Sequence, residues 1–191
     1  DSDKVMSSEA QACFTYIFMP VFVISLLSQF VYQPVISKMA LLWHEKKISQ
    51  FNKLILRQIA LILLLSVAAI IGGYLLGIPV LSLIYGVDLT DYKKSLVILL
   101  IGGGALAIVN FLQMIITVAR KQKLLNIGYL LAFLLFVFGG KTITEKHGMI
   151  GISVFYTAVV MILGAVFIVL TIGIIKGYAN SDGKTVAEKK Q

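Results

Sequence analysis

Five long apolar runs, each free of charge through its middle, constrain this chain more than any other feature: residues 14–36, 54–76, 95–119, 124–140 and 149–175. An α-helix rises about 1.5 Å per residue, so roughly 20 residues cross the hydrocarbon core of a bilayer. In lipid every backbone N–H and C=O must be bonded within the segment, so each run is expected as a membrane-spanning helix. The shortest, 124–140, spans with little tilt, or with Lys123 and Lys141 reaching to the two interfaces. Only 14% of the 191 residues are charged, against about a quarter in soluble domains. The expected fold class is therefore all-α, a polytopic membrane helix bundle with five transmembrane helices.

Basic residues set the expected direction of the bundle. With the N-terminus outside, the segments between spans alternate out and in. Twelve of the 17 Lys and Arg residues, but only three of the nine acids, then fall inside. The expectation is N-out and C-in. The net charge of +8 thus reads as topological, with membrane lipids as the partner of the basic residues and no nucleic acid expected. Residues 1–13 read as an outer polar loop and 177–191 as a disordered cytoplasmic tail. Residues 43–54 read as a short interfacial helix with Trp43, Ile48 and Phe51 toward lipid. Residues 77–86 read as a short outer-surface segment, with Pro79 ending the helix before it, and 141–148 as a tight polar hairpin. The chain starts at Asp1 rather than a methionine, which leads to the expectation of a C-terminal part of a longer protein.

Little in the chain offers catalytic chemistry. No Asp, Glu, Lys, Arg or His lies in the middle of a span, where proteases, metal sites and proton relays need such groups. His44 and His147 fall in loops on opposite faces, and Cys13 is the single cysteine. No enzymatic activity, metal or cofactor is expected.

What remains is uncharged polarity. Ser25, Ser28, Gln29, Tyr32 and Gln33 recur at helical spacing in the first run and form one stripe. Asn110, Gln113 and Thr117 repeat the pattern in the third. Such stripes either tie helices together or line a hydrated pathway. Glycines at 102–104 and prolines at 20 and 34 read as points where helices bend. Gly164 and Gly173 read as close helix packing. Together these features fit a transporter that rocks between two open states.

Residues 18–30, FMPVFVISLLSQF, followed by Gln33-Pro34-Val35 and Lys38, resemble the start of the C-terminal half of bacterial polysaccharide flippases, and 77–86, GIPVLSLIYG, resemble the short segment after the next helix of that family. These are the Wzx-type oligosaccharide translocases of the multidrug/oligosaccharidyl-lipid/polysaccharide exporter superfamily. The resemblance implies two helical lobes around a cavity that opens alternately to each side of the bacterial cytoplasmic membrane. The implied cargo is an undecaprenyl-diphosphate-linked sugar repeat unit. Five spans make an incomplete C-terminal lobe, with the N-terminal lobe of the same protein as partner. The family pattern transfers no binding residue. From the residues themselves, the substrate cavity candidates are Ser25, Gln29, Tyr32, Gln33, Asn110, Gln113 and Thr117, and the candidates for a phosphate rim are Lys38, Lys53 and Arg57. The rival readings are a small-molecule exporter of the same superfamily and a structural membrane subunit whose stripes only pack.

Overall fold

The computed structural model describes residues 8–86 and 88–188, and among them there is no strand. The chain path is α1 (Ser8–Tyr32), a 3-10 turn (Gln33–Val35), α2 (Ile36–His44), α3 (Ile48–Gly72), a π-helical turn (Gly73–Gly77), α4 (Ile78–Tyr85), a second 3-10 turn (Thr90–Tyr92) and α5 (Lys93–Val118). The last helical stretch, Lys123–Glu188, is two helices meeting at Gly148, whose φ of 56° and ψ of −142° are not helical. We denote residues 123–147 α6 and residues 148–188 α7.

Five helical segments are long and apolar enough to cross a membrane: Ala12–His44, Ile48–Tyr85, Thr90–Val118, Lys123–Gly140 and Gly148–Tyr178. Their number and order match the five apolar runs, and their length and composition make this a multi-pass membrane protein. The most exposed side chains include Leu83, Phe138 and Phe30. In water they would be a liability, whereas lipid is as apolar as they are.

Several connections differ from the sequence expectation, each for a backbone reason. Helix α1 begins at Ser8, so residues 8–13 are helical rather than loop, while residues 1–7 lie outside the described residues. Pro34, expected as a point of bending, sits in the 3-10 turn that joins α1 to α2, a place where its missing N–H does no harm. The interfacial helix is absent. A three-residue turn separates α2 from α3, and Phe51 is fully buried with its ring 5.2 Å from that of Trp43, instead of facing lipid. Pro79, expected to end the helix before it, does not stop the second segment. The π-helical turn just before it widens the backbone where the proline ring meets the preceding turn, and the helix continues as α4. Residues 141–147 are helical, and the reversal falls on Gly148 alone. Helix α7 runs on to Glu188 through residues 177–188, read from sequence as a disordered tail, and 189–191 lie outside the described residues.

Helix α5 is the hub. Of its most apolar stretch 61% is buried, against 28% or less in each of the other four spans. The three consecutive glycines explain how so many neighbours reach it, and they do not bend it, since α5 is unbroken through them. A Cβ on Gly102 would lie 2.8 Å from Thr157 Oγ1 of α7, one on Gly103 would lie 3.3 Å from Val21 Cα of α1, and one on Gly104 would lie 2.9 Å from Ser66 Cβ of α3. Each glycine thus admits a different helix. Thr157 fixes the first approach by donating its hydroxyl to the Ile98 carbonyl at 3.0 Å.

The contacts also give directions. Gly103 with Val21 and Asn110 with Ser25 make α1 and α5 parallel; Gly102 with Thr157 and Gly164 with Val109 do the same for α7. Helix α3 is antiparallel to them, since Gly77 meets Leu96 and Gly104 meets Ser66. Two apolar clusters result. One is built around Phe51, Phe111, Ile116 and Phe167 and the other around Ile17, Val21, Leu96 and Leu99, with Leu106 and Tyr156 packed against both.

Candidate functional site

The parallel packing of α1 and α5 brings the two polar stripes face to face. They line a cleft of about 470 Å³ whose walls include Gln29, Tyr32, Asn110, Gln113 and Thr117, with Ile36, Met114 and Val118 as the apolar part. Five of the seven cavity candidates therefore meet. A sixth, Ser25, stands at the end of the cleft, where its hydroxyl accepts a 2.8 Å hydrogen bond from Asn110 Nδ2. The seventh, Gln33, lies exposed in the 3-10 turn and is not part of the lining. The turn after Tyr32 tightens the helical period, so Gln33 leaves the face that 3.6-residue spacing assigns to it. Ser28 is fully buried and donates to the Ile24 carbonyl of its own helix at 2.8 Å, which absorbs its polarity.

The remaining polar groups are only partly used. Tyr129 of α6 donates its hydroxyl to Gln113 Oε1 at 2.5 Å, and the Thr117 hydroxyl donates to the Gln113 backbone carbonyl at 2.9 Å. Tyr32 packs its ring on Phe111, with centroids 5.5 Å apart. The amide of Gln29, the side-chain N–H groups of Gln113 and the carbonyl of Asn110 keep hydrogen-bonding capacity toward the cleft. Donors and acceptors on a partly apolar wall suit an uncharged polyhydroxyl or amide-bearing ligand, or the water that would take its place.

Sequence reasoning missed Tyr129 because a lone tyrosine in an apolar run carries no stripe. It also passed over Gln58. That side chain is 4% exposed on α3, and its Oε1 has no hydrogen-bond partner, a condition shared by Thr171 Oγ1 on α7. A solitary glutamine among the leucines and isoleucines of 54–76 was the available signal.

The three residues expected at a phosphate rim stand apart from this cleft. Lys38, Lys53 and Arg57 are all exposed, and none lines this cleft. Their helices α2 and α3 carry them on outward faces. Arg120, Lys121 and Lys123, where α5 gives way to α6, border a separate cleft of about 1220 Å³. Trp43, at the end of α2, and Tyr178, late in α7, line the same cleft, so three chain segments rich in Lys and Arg converge on one end of the bundle. The opposite end carries the Gly86 and Gly148 turns and a stack of Tyr16 on Tyr85 at 4.0 Å.

Comparison with protein-family models, with curated proteins and with solved structures finds no match to this chain.

Proposed function

We propose that this chain is part of a membrane transporter, a flippase that carries undecaprenyl-diphosphate-linked oligosaccharide repeat units across the bacterial cytoplasmic membrane by alternating access. In this reading the N-terminal end of α1 lies on the outer side, the bundle forms part of one of two lobes, and the α1–α5 cleft meets the sugar. The observation that carries it is the confrontation of two polar stripes across one cleft, with Gln29, Asn110 and Gln113 keeping hydrogen-bonding groups unspent. A seam made only for packing would be expected to spend those groups between the helices.

One observation favours the rival reading of a structural subunit: the Asn110–Ser25 and Tyr129–Gln113 bonds already consume part of the stripes. A double change, Gln29→Leu with Gln113→Leu, separates the two, with Gln33→Leu as a control outside the cleft. Surface display of polymer and accumulation of lipid-linked repeat unit are measured in a polysaccharide-producing bacterium, alongside the Tm of the purified protein. Lost export at an unchanged Tm is the expected outcome. Full export together with a lowered Tm would assign the stripes to packing and end the transport reading.

A further inference from the structure

We propose that the cleft at the basic end seats an anionic phospholipid, its phosphate held by Arg120, Lys121 and Lys123 and an acyl chain lying along Val169, Leu170 and Ile174 of α7. This stands independently of the transport reading, because it concerns a different cleft and a resident lipid rather than a cargo.

Two chemically distinct walls define the seat. One is cationic and falls within four consecutive residues at the end of a spanning helix, the depth at which headgroups lie. None of the three cations has an ion-pair partner among the described residues, and the Lys47–Glu45 ion pair at 2.8 Å belongs to another turn. The other wall is apolar and open to the membrane, with Val169 68% exposed. A ligand that satisfies both must be anionic at one end and hydrocarbon at the other.

The floor of the cleft is kept empty without a packing reason. Gly173 and Gly177 both line it, and a Cβ on either would meet nothing within 4 Å. The close helix packing expected at Gly173 is therefore not its role, whereas an open groove for a chain is. Trp43 and Tyr178 form the aromatic edge, their rings 4.3 Å apart, as amphipathic rings do at the headgroup level.

The backbone is also committed to presenting a charge here. Arg120 has φ of 58°, in the left-handed region that glycine ordinarily fills at a helix end. Two bonds hold it there, from Arg120 N to the Thr117 carbonyl at 2.9 Å and from Lys121 N to the Ile116 carbonyl at 3.1 Å. At the other end of the bundle the positive-φ positions are Gly86 and Gly148. At the basic end both positive-φ positions, Arg120 and Lys46 (φ 59°) in the turn after α2, carry a cation where glycine is easier.

Trp43 is the single tryptophan, which makes the test direct. The full chain is reconstituted in phosphatidylcholine bilayers containing a fixed fraction of either phosphatidylglycerol or phosphatidylcholine brominated on its acyl chains, and quenching of Trp43 is compared. Phosphatidylglycerol is expected to be favoured by roughly fivefold for each cation engaged, from about 1 kcal/mol per basic residue at an anionic surface. The triple variant Arg120→Gln, Lys121→Gln, Lys123→Gln should quench equally with both lipids. The variant Lys38→Gln, Lys53→Gln, Arg57→Gln should keep the preference. Arg120→Gly, which relieves the turn, guards against misfolding: it should hold or raise the Tm and still reduce the preference. Equal quenching of the unaltered protein by the two lipids would overturn the proposal. So would equal loss in both triple variants, which would mean a diffuse basic surface, or abolition of the preference by inorganic phosphate alone, which would mean a free-phosphate site.

Discussion

Asp88 shows how much a single exposed residue settles in the connection between α4 and α5. Its Oδ1 accepts from the Thr90 backbone N–H at 3.0 Å and from the Thr90 hydroxyl at 2.6 Å. The Thr90 side-chain bond, and then the backbone bond, hold the Asp88 carboxyl below its ordinary range. Both bonds favour the ionised form, so their contribution is present above the unfolded pKa and is lost as pH falls through the lower folded one. Thr90→Val is expected to raise the Asp88 pKa toward the ordinary carboxylate value, read by following its carboxyl carbon in an NMR titration. Gln58 poses the opposite case, a buried acceptor with no partner. Leaving such an atom unsatisfied costs about 1–3 kcal/mol, so Gln58→Leu should leave stability unchanged or raise it by about 1 kcal/mol. A clear fall in Tm would reveal a water or ligand bound to the amide. The Asn110–Ser25 pair is a third residue-scale test. A double-mutant cycle with Asn110→Leu and Ser25→Ala should yield a coupling of about 0.6 kcal/mol, the usual worth of a polar pair between membrane helices.

At the scale of elements, Gly104 of α5 and Gly173 of α7 look alike in sequence and differ in role. Placing alanine at Gly104 gains up to about 1 kcal/mol of helix propensity but drives a Cβ to 2.9 Å from Ser66 Cβ. A Cβ is fixed to its backbone, so α3 and α5 must separate, at an overpacking cost of about 1–3 kcal/mol. Gly104→Ala should therefore lower stability and Gly173→Ala, with open space around it, should raise it by about 0.5–1 kcal/mol. Thermal unfolding of the two variants in one detergent checks the signs. If both gained stability, α5 would not be the hub its glycines make it. The helix turns carry the same lesson. Pro34, expected as a bend, and Pro79, expected as a break, are both absorbed by a change of helical period, 3-10 in the first case and π in the second. Proline removes one donor and crowds one turn, and a local change of pitch relieves both without ending the helix.

For the whole molecule, the apolar runs were legible because lipid as a solvent leaves few options. A charge-free run of sufficient length must satisfy its own backbone, and that alone gives five spans in the right order. Most of the candidate cleft was legible too, since a helical period of 3.6 places Gln29 and Tyr32, or Asn110, Gln113 and Thr117, on one face each. Gln33 escaped because the 3-10 turn shifts that period, and Tyr129 because nothing around it repeats. Lys38, Lys53 and Arg57, expected at a rim, lie exposed and away from this cleft. Basic composition marks an end of a helix but not the direction in which its face points.

Spans, their order and the two polar stripes were thus determined by the sequence, because burial in hydrocarbon and helical periodicity act locally along the chain. That α5 is central, that its three glycines admit three different helices, and that Arg120, Lys121 and Lys123 border a cleft were decided only by the tertiary structure. Helices in lipid gain almost nothing from hiding apolar surface against one another, so side-chain shape and a few interhelical hydrogen bonds choose the neighbours. Those depend on residues far apart in the chain, as Asn110 and Ser25 are, and no local reading of the sequence can pair them.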